Sequence, residues 1–202
     1  MPHLGLWEIT EDSPIPLGKS NVAFEKHLET WIENRPEFVQ SGLTIIGRQV
    51  RVATGFLDLL AVDTGGRCVV IEVKREAIYR EAVAQALDYA ATVAEMPGDD
   101  LKRAVDKYSA ERNIDLSERL ADGVLEDLYT AEQRDVTIIV VGVGQRPGLE
   151  RLLRFLNDRS NLEISLVSFE SFVLPDDRQI LGRELSDSEP AYVTQERPRK
   201  SG

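Results

Sequence analysis

Apolar residues recur along this chain at two different periods, which predicts both helices and strands. Apolar residues at helical spacing predict a first helix that begins after Ser20 or Asn21 and ends at Asn34-Arg35-Pro36. The same spacing predicts further helices over residues 80–94 and 149–156. Continuous β-branched and apolar runs predict strands over residues 43–52, 56–62, 68–74, 136–143 and 162–169. This order predicts an α/β fold with a mixed central sheet flanked by helices, in which residues 136–143 form the centre of the sheet.

The same pattern divides the 202 residues into one domain and two flanking segments. Residues 1–19 contain three prolines and no clear period, so they are interpreted as an N-terminal arm or short edge strand. Residues 20–182 form the domain, with a charged helical insertion at about 97–131, after the second core helix. Residues 183–202 are polar and are interpreted as a loose tail.

Two of the predicted strands are separated by Asp63-Thr64-Gly65-Gly66-Arg67, which favours a hairpin because paired glycines permit tight turns. If residues 64–66 form the turn, Asp63 pairs with Arg67. The same register places Asp58 directly opposite Glu72, with side chains about 5 Å apart on one face of the sheet.

Asp58, Glu72 and Lys74 are charged residues inside apolar strands, where burial without partners is costly. Alternation along the strand places Glu72 and Lys74 on the same face. Two close carboxylates repel each other unless a cation lies between them, and hard oxygen ligands select Mg²⁺ or Mn²⁺. Lys74 could orient a water molecule and stabilise charge on a phosphate. The alternative is a surface ion pair on an edge strand.

Composition limits the other possibilities. The net charge of −11 argues against a general polyanion binder, although a bound cation would offset part of it. The single cysteine, Cys68, lies in an apolar run, which excludes a disulfide framework. No apolar run of about 20 residues and no secretory signal are found, so a cytoplasmic protein without membrane contact is expected.

Five blocks in order resemble the nuclease domain of the NucS/EndoMS endonucleases, which belong to the PD-(D/E)XK, or restriction-endonuclease-like, superfamily. The resemblance is close over roughly residues 22–92. The blocks are residues 24–29, the segment Gly47-Arg48-Gln49-Val50-Arg51-Val52, the motif Gly55-x-x-Asp58-Leu59-Leu60, residues 69–75, and Gln85-x-x-x-Tyr89.

The resemblance implies a restriction-endonuclease-like core and a role for each matching residue. Asp58 and Glu72 would bind Mg²⁺ or Mn²⁺ together with the backbone carbonyl of Val73, and Lys74 would position the attacking water. Gln85 would support the site from the second helix, and Glu25 would supply an auxiliary carboxylate. Candidate phosphate contacts are Arg48, Arg51, Arg75 and Arg80.

The helical wheel of the first helix supports the choice of Glu25. The apolar stripe centres near Leu28, and Glu25 lies about 75° from it, against about 115° for Glu29, at roughly 100° per residue. Glu25 is therefore the acid expected to reach inward.

The resemblance also has departures. Phe56 stands where the family usually has a basic residue, and about 20 residues precede the first helix where NucS-like proteins have a further DNA-gripping domain. A metal-dependent endonuclease, acting on DNA as a homodimer or with a separate DNA-targeting partner, is the leading hypothesis. A non-catalytic protein- or nucleic-acid-binding assembly module is the second. A phosphate-binding turn at residues 141–144 is a third, although its glycine pattern is incomplete.

Overall fold

The computed structural model describes residues 5–10, 13–19, 27–74, 77–143 and 148–185. The strands are β1 (Trp7–Ile9), β2 (Pro14–Pro16), β3 (Gly18–Lys19), β4 (Thr44–Val52), β5 (Gly55–Val62), β6 (Cys68–Val73), β7 (Val136–Val143), β8 (Ile164–Val173) and β9 (Gln179–Leu185). The α-helices are α1 (Leu28–Asn34), α2 (Arg80–Glu95), α3 (Gly98–Arg112), α4 (Val124–Thr130) and α5 (Leu149–Arg159), and short 3₁₀ helices span Pro36–Phe38 and Leu116–Glu118.

Seven of these strands form one mixed sheet in the order β3-β8-β7-β6-β5-β4, with β9 on the outer edge of β8. The hairpins β4–β5 and β5–β6 are antiparallel, whereas β6, β7 and β8 are parallel to one another. Parallel neighbours require crossover connections, which the helices between these strands supply. Consistent with a central position, β7 is apolar and almost fully buried.

Helices cover both faces of the sheet and divide the core into two clusters. One cluster joins β4–β8 to α2, α4 and α5 through residues such as Ala86, Leu128 and Leu153. The other lies under α1 and contains Leu28 and Ile32. Helix α3 contributes to both clusters and packs along β4, the edge strand that leads to the candidate site.

The turn between β5 and β6 fixes the register of that hairpin. Asp63 Oδ1 accepts hydrogen bonds from the N–H groups of Gly65 (2.8 Å) and Arg67 (3.0 Å), and Gly66 has a φ of 79°. The ladder then pairs Val62 with Cys68 and continues to Leu59 and Ile71. The predicted register is confirmed, because each of these pairs continues the one that joins Asp63 to Arg67.

The remaining sequence predictions agree with the structure in most elements. The N-terminal arm forms the β1–β2 hairpin and the short edge strand β3, and residues 97–131 are largely helical. The proposed domain boundary at residue 182 is too early, since β9 continues to Leu185 and pairs with β8 along seven residues. Within the described ranges, no helix is long and apolar enough to cross a membrane.

Candidate active site

The candidate site lies where the β5–β6 hairpin meets the end of the parallel strands. Extension of the β5–β6 register by one pair beyond Leu59 and Ile71 brings Asp58 opposite Glu72. The chain continues directly into Lys74, whose backbone N–H donates to the carbonyl of Val141 in β7 (2.7 Å). The structure therefore brings the three residues of the predicted motif together at the carboxyl end of β6.

Asp58 is held at both carboxylate oxygens. The backbone N–H of Val73 donates to Oδ2 (2.8 Å), and the side-chain amide of Gln49 donates to Oδ1 (3.0 Å). Burial raises the pKa of Asp58 above its ordinary value, and the negative charge of Glu29 adds to the effect, while the two hydrogen bonds oppose it. The two hydrogen bonds thus fix the orientation of the carboxylate, but they do not fully offset the effect of burial and of Glu29 on its pKa.

Glu72 is the more strongly perturbed acid, and its side chain is only 2% exposed. Burial first, and then the charge of Asp58, raises the pKa of Glu72 to about 7, although Lys74 acts in the opposite direction. Its Oε1 accepts a hydrogen bond from Lys74 Nζ (2.6 Å), but its buried Oε2 has no partner among the described residues. A buried carboxylate oxygen without a donor is uncommon and calls for an explanation.

Lys74 belongs to a chain of hydrogen bonds that reaches the core. Its Nζ donates to Gln85 Oε1 (2.7 Å) as well as to Glu72, and Gln85 Nε2 donates to the hydroxyl oxygen of Tyr89 (2.7 Å). Tyr89 is buried beneath β5, and a Cβ on Gly55 would lie 2.9 Å from the Tyr89 hydroxyl. Gly55 therefore permits the close approach of Tyr89, which in turn orients Gln85 toward the ammonium group.

The four predicted phosphate-binding arginines lie in different environments. Arg48 is bound to acids of α1, with Nη1 2.5 Å from Glu33 and Nη2 3.4 Å from Glu29. Arg51 is exposed on β4 and makes no ion pair with any described residue, and Arg80 is exposed at the start of α2. Arg75 lies outside the described residues, as does the predicted auxiliary acid Glu25.

Sequence reasoning missed two residues beside Asp58. Gln49 was noted only as part of a motif block, and Glu29 ranked behind Glu25 on the helical wheel. In the structure Gln49 Nε2 also donates to Glu29 Oε2 (3.3 Å), and the charge of Glu29 raises the pKa of both Asp58 and Glu72. The pairing of Gln49 with Asp58 follows from the register of the β4–β5 hairpin, which the sequence does not predict because the turn at Ala53-Thr54 has no characteristic turn sequence.

Two cavities flank this group of residues. A groove of about 1060 Å³ between β4 and α3 is lined in part by Gln49, Arg51 and Phe56. A smaller pocket of about 470 Å³ is lined in part by Lys74 and Gln85. In the part of the chain that the structure describes, no group of three His, Cys, Asp or Glu side chains is arranged to hold a metal ion. The carboxylates nearest one another at the site are those of Asp58 and Glu72, with Glu29 joined to Asp58 through the amide of Gln49.

Comparison with known proteins agrees with the motif blocks. A family model described as the endonuclease NucS C-terminal domain matches residues 24–116, which includes α3 and thus the first part of the segment interpreted as an insertion. Endonuclease NucS 2 of Halobacterium salinarum is 34% identical over 111 residues, which are 55% of this chain and 38% of that protein. Endonuclease NucS of Frankia alni is 38% identical over 77 residues, covering 35% of this chain and 34% of that protein.

Among solved structures, a complex of EndoMS with double-stranded DNA matches 71% of this chain and 44% of that chain, with 22% identity and a TM-score of 0.43. The matches to the two NucS proteins likewise span less than two fifths of their length. Over residues 24–116, this chain is similar to the C-terminal domain of endonuclease NucS.

Proposed function

We propose that this chain is a divalent-metal-dependent endonuclease that hydrolyses phosphodiester bonds in DNA. The observation that carries the proposal is the buried Oε2 of Glu72, which has no partner among the described residues, beside a second acid, Asp58, whose charge raises the pKa of Glu72. Burial and the charge of Asp58 raise the pKa of Glu72, as expected of a pair of carboxylates that a bound cation would complete.

The residues present fit Mg²⁺ or Mn²⁺. Asp58 and Glu72 would hold the ion together with the backbone carbonyl of Val73, and a site with two carboxylates suits Mg²⁺, which usually keeps several waters. When bound, the cation would supply Lewis-acid stabilisation of the phosphate and lower the pKa of a coordinated water. The hydrogen bonds from Val73 and Gln49 already fix the Asp58 carboxylate for this role.

Lys74 supplies the positive charge of the proposed reaction. Its ammonium group is fixed by Glu72 and Gln85, so it can donate a hydrogen bond to the attacking water or to a phosphate oxygen without rearrangement. In the hydrolysis the water oxygen bonds to phosphorus, and the ester oxygen leaves and takes up a proton. Tyr89 contributes indirectly, because it holds Gln85 in place.

DNA as the substrate is supported by the relatives, which are named endonucleases. A solved structure of EndoMS, to which part of this chain is similar, contains double-stranded DNA. Within this chain, Arg51 and Arg80 are exposed candidates for phosphate contacts. Arg48 suits that role less well, since Glu33 and Glu29 already bind its guanidinium. A separate DNA-targeting partner would compensate for the net charge of −11, whereas a homodimer would allow both strands of a duplex to be cut.

The test is cleavage of labelled single-stranded, duplex and branched DNA by the wild type and Asp58→Ala, with Mg²⁺, Mn²⁺ or EDTA. Metal-dependent cleavage that is lost in Asp58→Ala is expected. Asp88→Ala, which removes an exposed carboxylate from α2, serves as the matched control and is expected to cleave normally. A folded wild type that neither cleaves any substrate nor binds Mn²⁺ would contradict the proposal and favour a non-catalytic assembly module.

A further inference from the structure

Gln49 has an unusual backbone conformation for its position. Its φ is 48°, in the left-handed region, although it lies within strand β4. The other non-glycine residues with positive φ in the described chain are Asn113, at the end of α3, and Asp177, in the turn before β9. Left-handed conformations of this kind cost free energy and persist where the surrounding structure imposes them, often at functional sites.

The conformation of Gln49 changes the face that β4 presents. Arg48 extends toward α1, where it binds Glu33, whereas Val50 packs in the cluster beneath α2. In a regular strand, residues 48 and 50 would share a face. Opposite them, Leu59 and Leu57 are likewise divided between the two clusters. Gln49 and its register partner Asp58 thus lie at the point where both strands change face.

The side chain of Gln49 joins two acids from different elements. Its Nε2 donates to Asp58 Oδ1 (3.0 Å) and to Glu29 Oε2 (3.3 Å). An amide nitrogen has two hydrogens, so it can serve both carboxylates at once without a positive charge that would compete with a cation. Attachment of α1 to β4 does not depend on this amide, since Arg48 binds Glu33 and Glu29 independently.

We infer that Gln49 is a positioning residue for the metal-binding carboxylate of Asp58, and that its left-handed backbone exists to aim the amide at that group. The inference rests on the proposed function. With Val73 N–H on Oδ2 and Gln49 on Oδ1, the plane of the Asp58 carboxylate is fixed before an ion arrives. Groups that orient metal ligands in this way typically change metal affinity about 10- to 100-fold when removed.

The test uses Gln49→Gly in the full chain, because glycine adopts positive φ readily and removes only the side chain. Binding of Mn²⁺ alone, measured by electron paramagnetic resonance, is expected to weaken about 10- to 100-fold. The melting temperature of the metal-free protein is expected to stay within about 4 °C of wild type. Asn113→Gly, the same change at a left-handed residue on α3, is the matched control and should bind Mn²⁺ normally.

A second variant separates the effect of side-chain length at position 49 from that of backbone conformation. Gln49→Asn keeps an amide and tolerates positive φ, but it is one methylene shorter and should bind Mn²⁺ as weakly as Gln49→Gly. In cleavage assays both variants are expected to have a lower kcat and an unchanged KM, because the DNA contacts remain.

Several results would overturn the inference. One is a Mn²⁺ affinity of Gln49→Gly within about twofold of wild type, since the expected loss is at least about tenfold. Another is a Mn²⁺ affinity of Gln49→Asn equal to that of wild type. If Asp58→Ala loses Mn²⁺ binding while Gln49→Gly retains it, only the role of Gln49 fails. If the wild type binds no Mn²⁺, the proposed function and the role of Gln49 fail together.

Discussion

Two buried glutamates in this protein have opposite electrostatic environments. The side chain of Glu33 on α1 is 7% exposed and contacts Arg48 (2.5 Å) and Arg112 (2.6 Å). Burial opposes its ionisation, yet hydrogen bonds from Arg112 and Arg48 hold the pKa of Glu33 below its ordinary value. Glu72 on β6 is more deeply buried but shares one lysine with a neighbouring acid, and its pKa is raised to about 7.

The contrast separates a structural network from a candidate site. Glu33 has a cation for each oxygen and joins α1 to β4 and α3, so its charge stabilises the fold. Glu72 retains an oxygen without a donor among the described residues, and Asp58 adds repulsion instead of compensation. The fold therefore tolerates an unfavourable charge at Glu72, as expected where that charge serves to bind a ligand.

The largest expected effect is on cleavage when Lys74 is removed. Lys74→Ala should reduce the cleavage rate about 10²- to 10³-fold, because the site loses its donor to the developing charge while Asp58 and Glu72 remain. Single-turnover cleavage of labelled DNA at saturating Mn²⁺ measures this. Lys102→Ala, which removes an exposed lysine paired with Asp106 on α3, should leave the rate unchanged. Equal rates in the two variants would exclude a chemical role for Lys74.

The next largest effect is on stability when Glu33 is removed. Glu33→Ala should lower the free energy of unfolding by about 2–3 kcal/mol at pH 7, because two arginines lose their acceptor. Since the pKa of Glu33 is lowered on folding, its contribution is present above about pH 4.5 and is lost as the pH falls through the folded value. Urea denaturation at pH 7 and pH 3.5 tests this, and the difference between variant and wild type should shrink at the lower pH.

Glu72→Gln should act in the opposite direction. Because folding raises the pKa of Glu72 from 4.5 to about 7, the native state holds this proton more tightly than the unfolded chain, and stability declines as the pH rises through that interval. Replacement by glutamine should raise the free energy of unfolding of the metal-free protein by about 1–2 kcal/mol at pH 8, and by little at pH 4.5. If Glu72→Gln instead lowered the free energy of unfolding at pH 8, as expected for Glu33→Ala, then the ionised Glu72 would stabilise the fold as Glu33 does.

The smallest effect concerns Arg51, the exposed arginine in the groove between β4 and α3. Arg51→Ala should weaken DNA binding several-fold and reduce the slope of log affinity against log salt by about one. Fluorescence anisotropy in Ca²⁺, measured at several salt concentrations, reports both quantities. Arg178→Ala, in the turn between β8 and β9, is the control and should leave the slope as in wild type. An unchanged slope in Arg51→Ala would place the DNA elsewhere.

The order of helices and strands and the pairing of Asp58 with Glu72 were predictable because their signals are local. Asp63 and Gly66 encode the turn, and the turn fixes the register of the whole hairpin. The candidate residues could also be selected from the sequence, since charges in apolar strands are conspicuous, and the chemistry proposed for them stays a prediction. Strand β9 was missed because its polar sequence pairs only where β8 offers an open edge, which is a tertiary property.

Gln49 and Glu29 could not be predicted for a similar reason. Their roles depend on a left-handed residue and on a register irregularity between Ile45 and Gly47, neither of which has a sequence signal in β4. The helical wheel ranked Glu29 by angle alone, whereas Gln49 extends to meet its side chain. The choice of Glu25 as auxiliary acid stays a prediction.

The most direct test of the central claim, that Asp58 and Glu72 together bind a divalent cation, is calorimetric titration of the wild type and Asp58→Asn with Mn²⁺ at pH 8, where Glu72 is ionised. Asparagine keeps the size of the side chain and one acceptor oxygen but removes its charge. We expect saturable binding by the wild type that is lost or weakened at least about tenfold in Asp58→Asn. Equal binding by the two proteins, or none by the folded wild type, would contradict it.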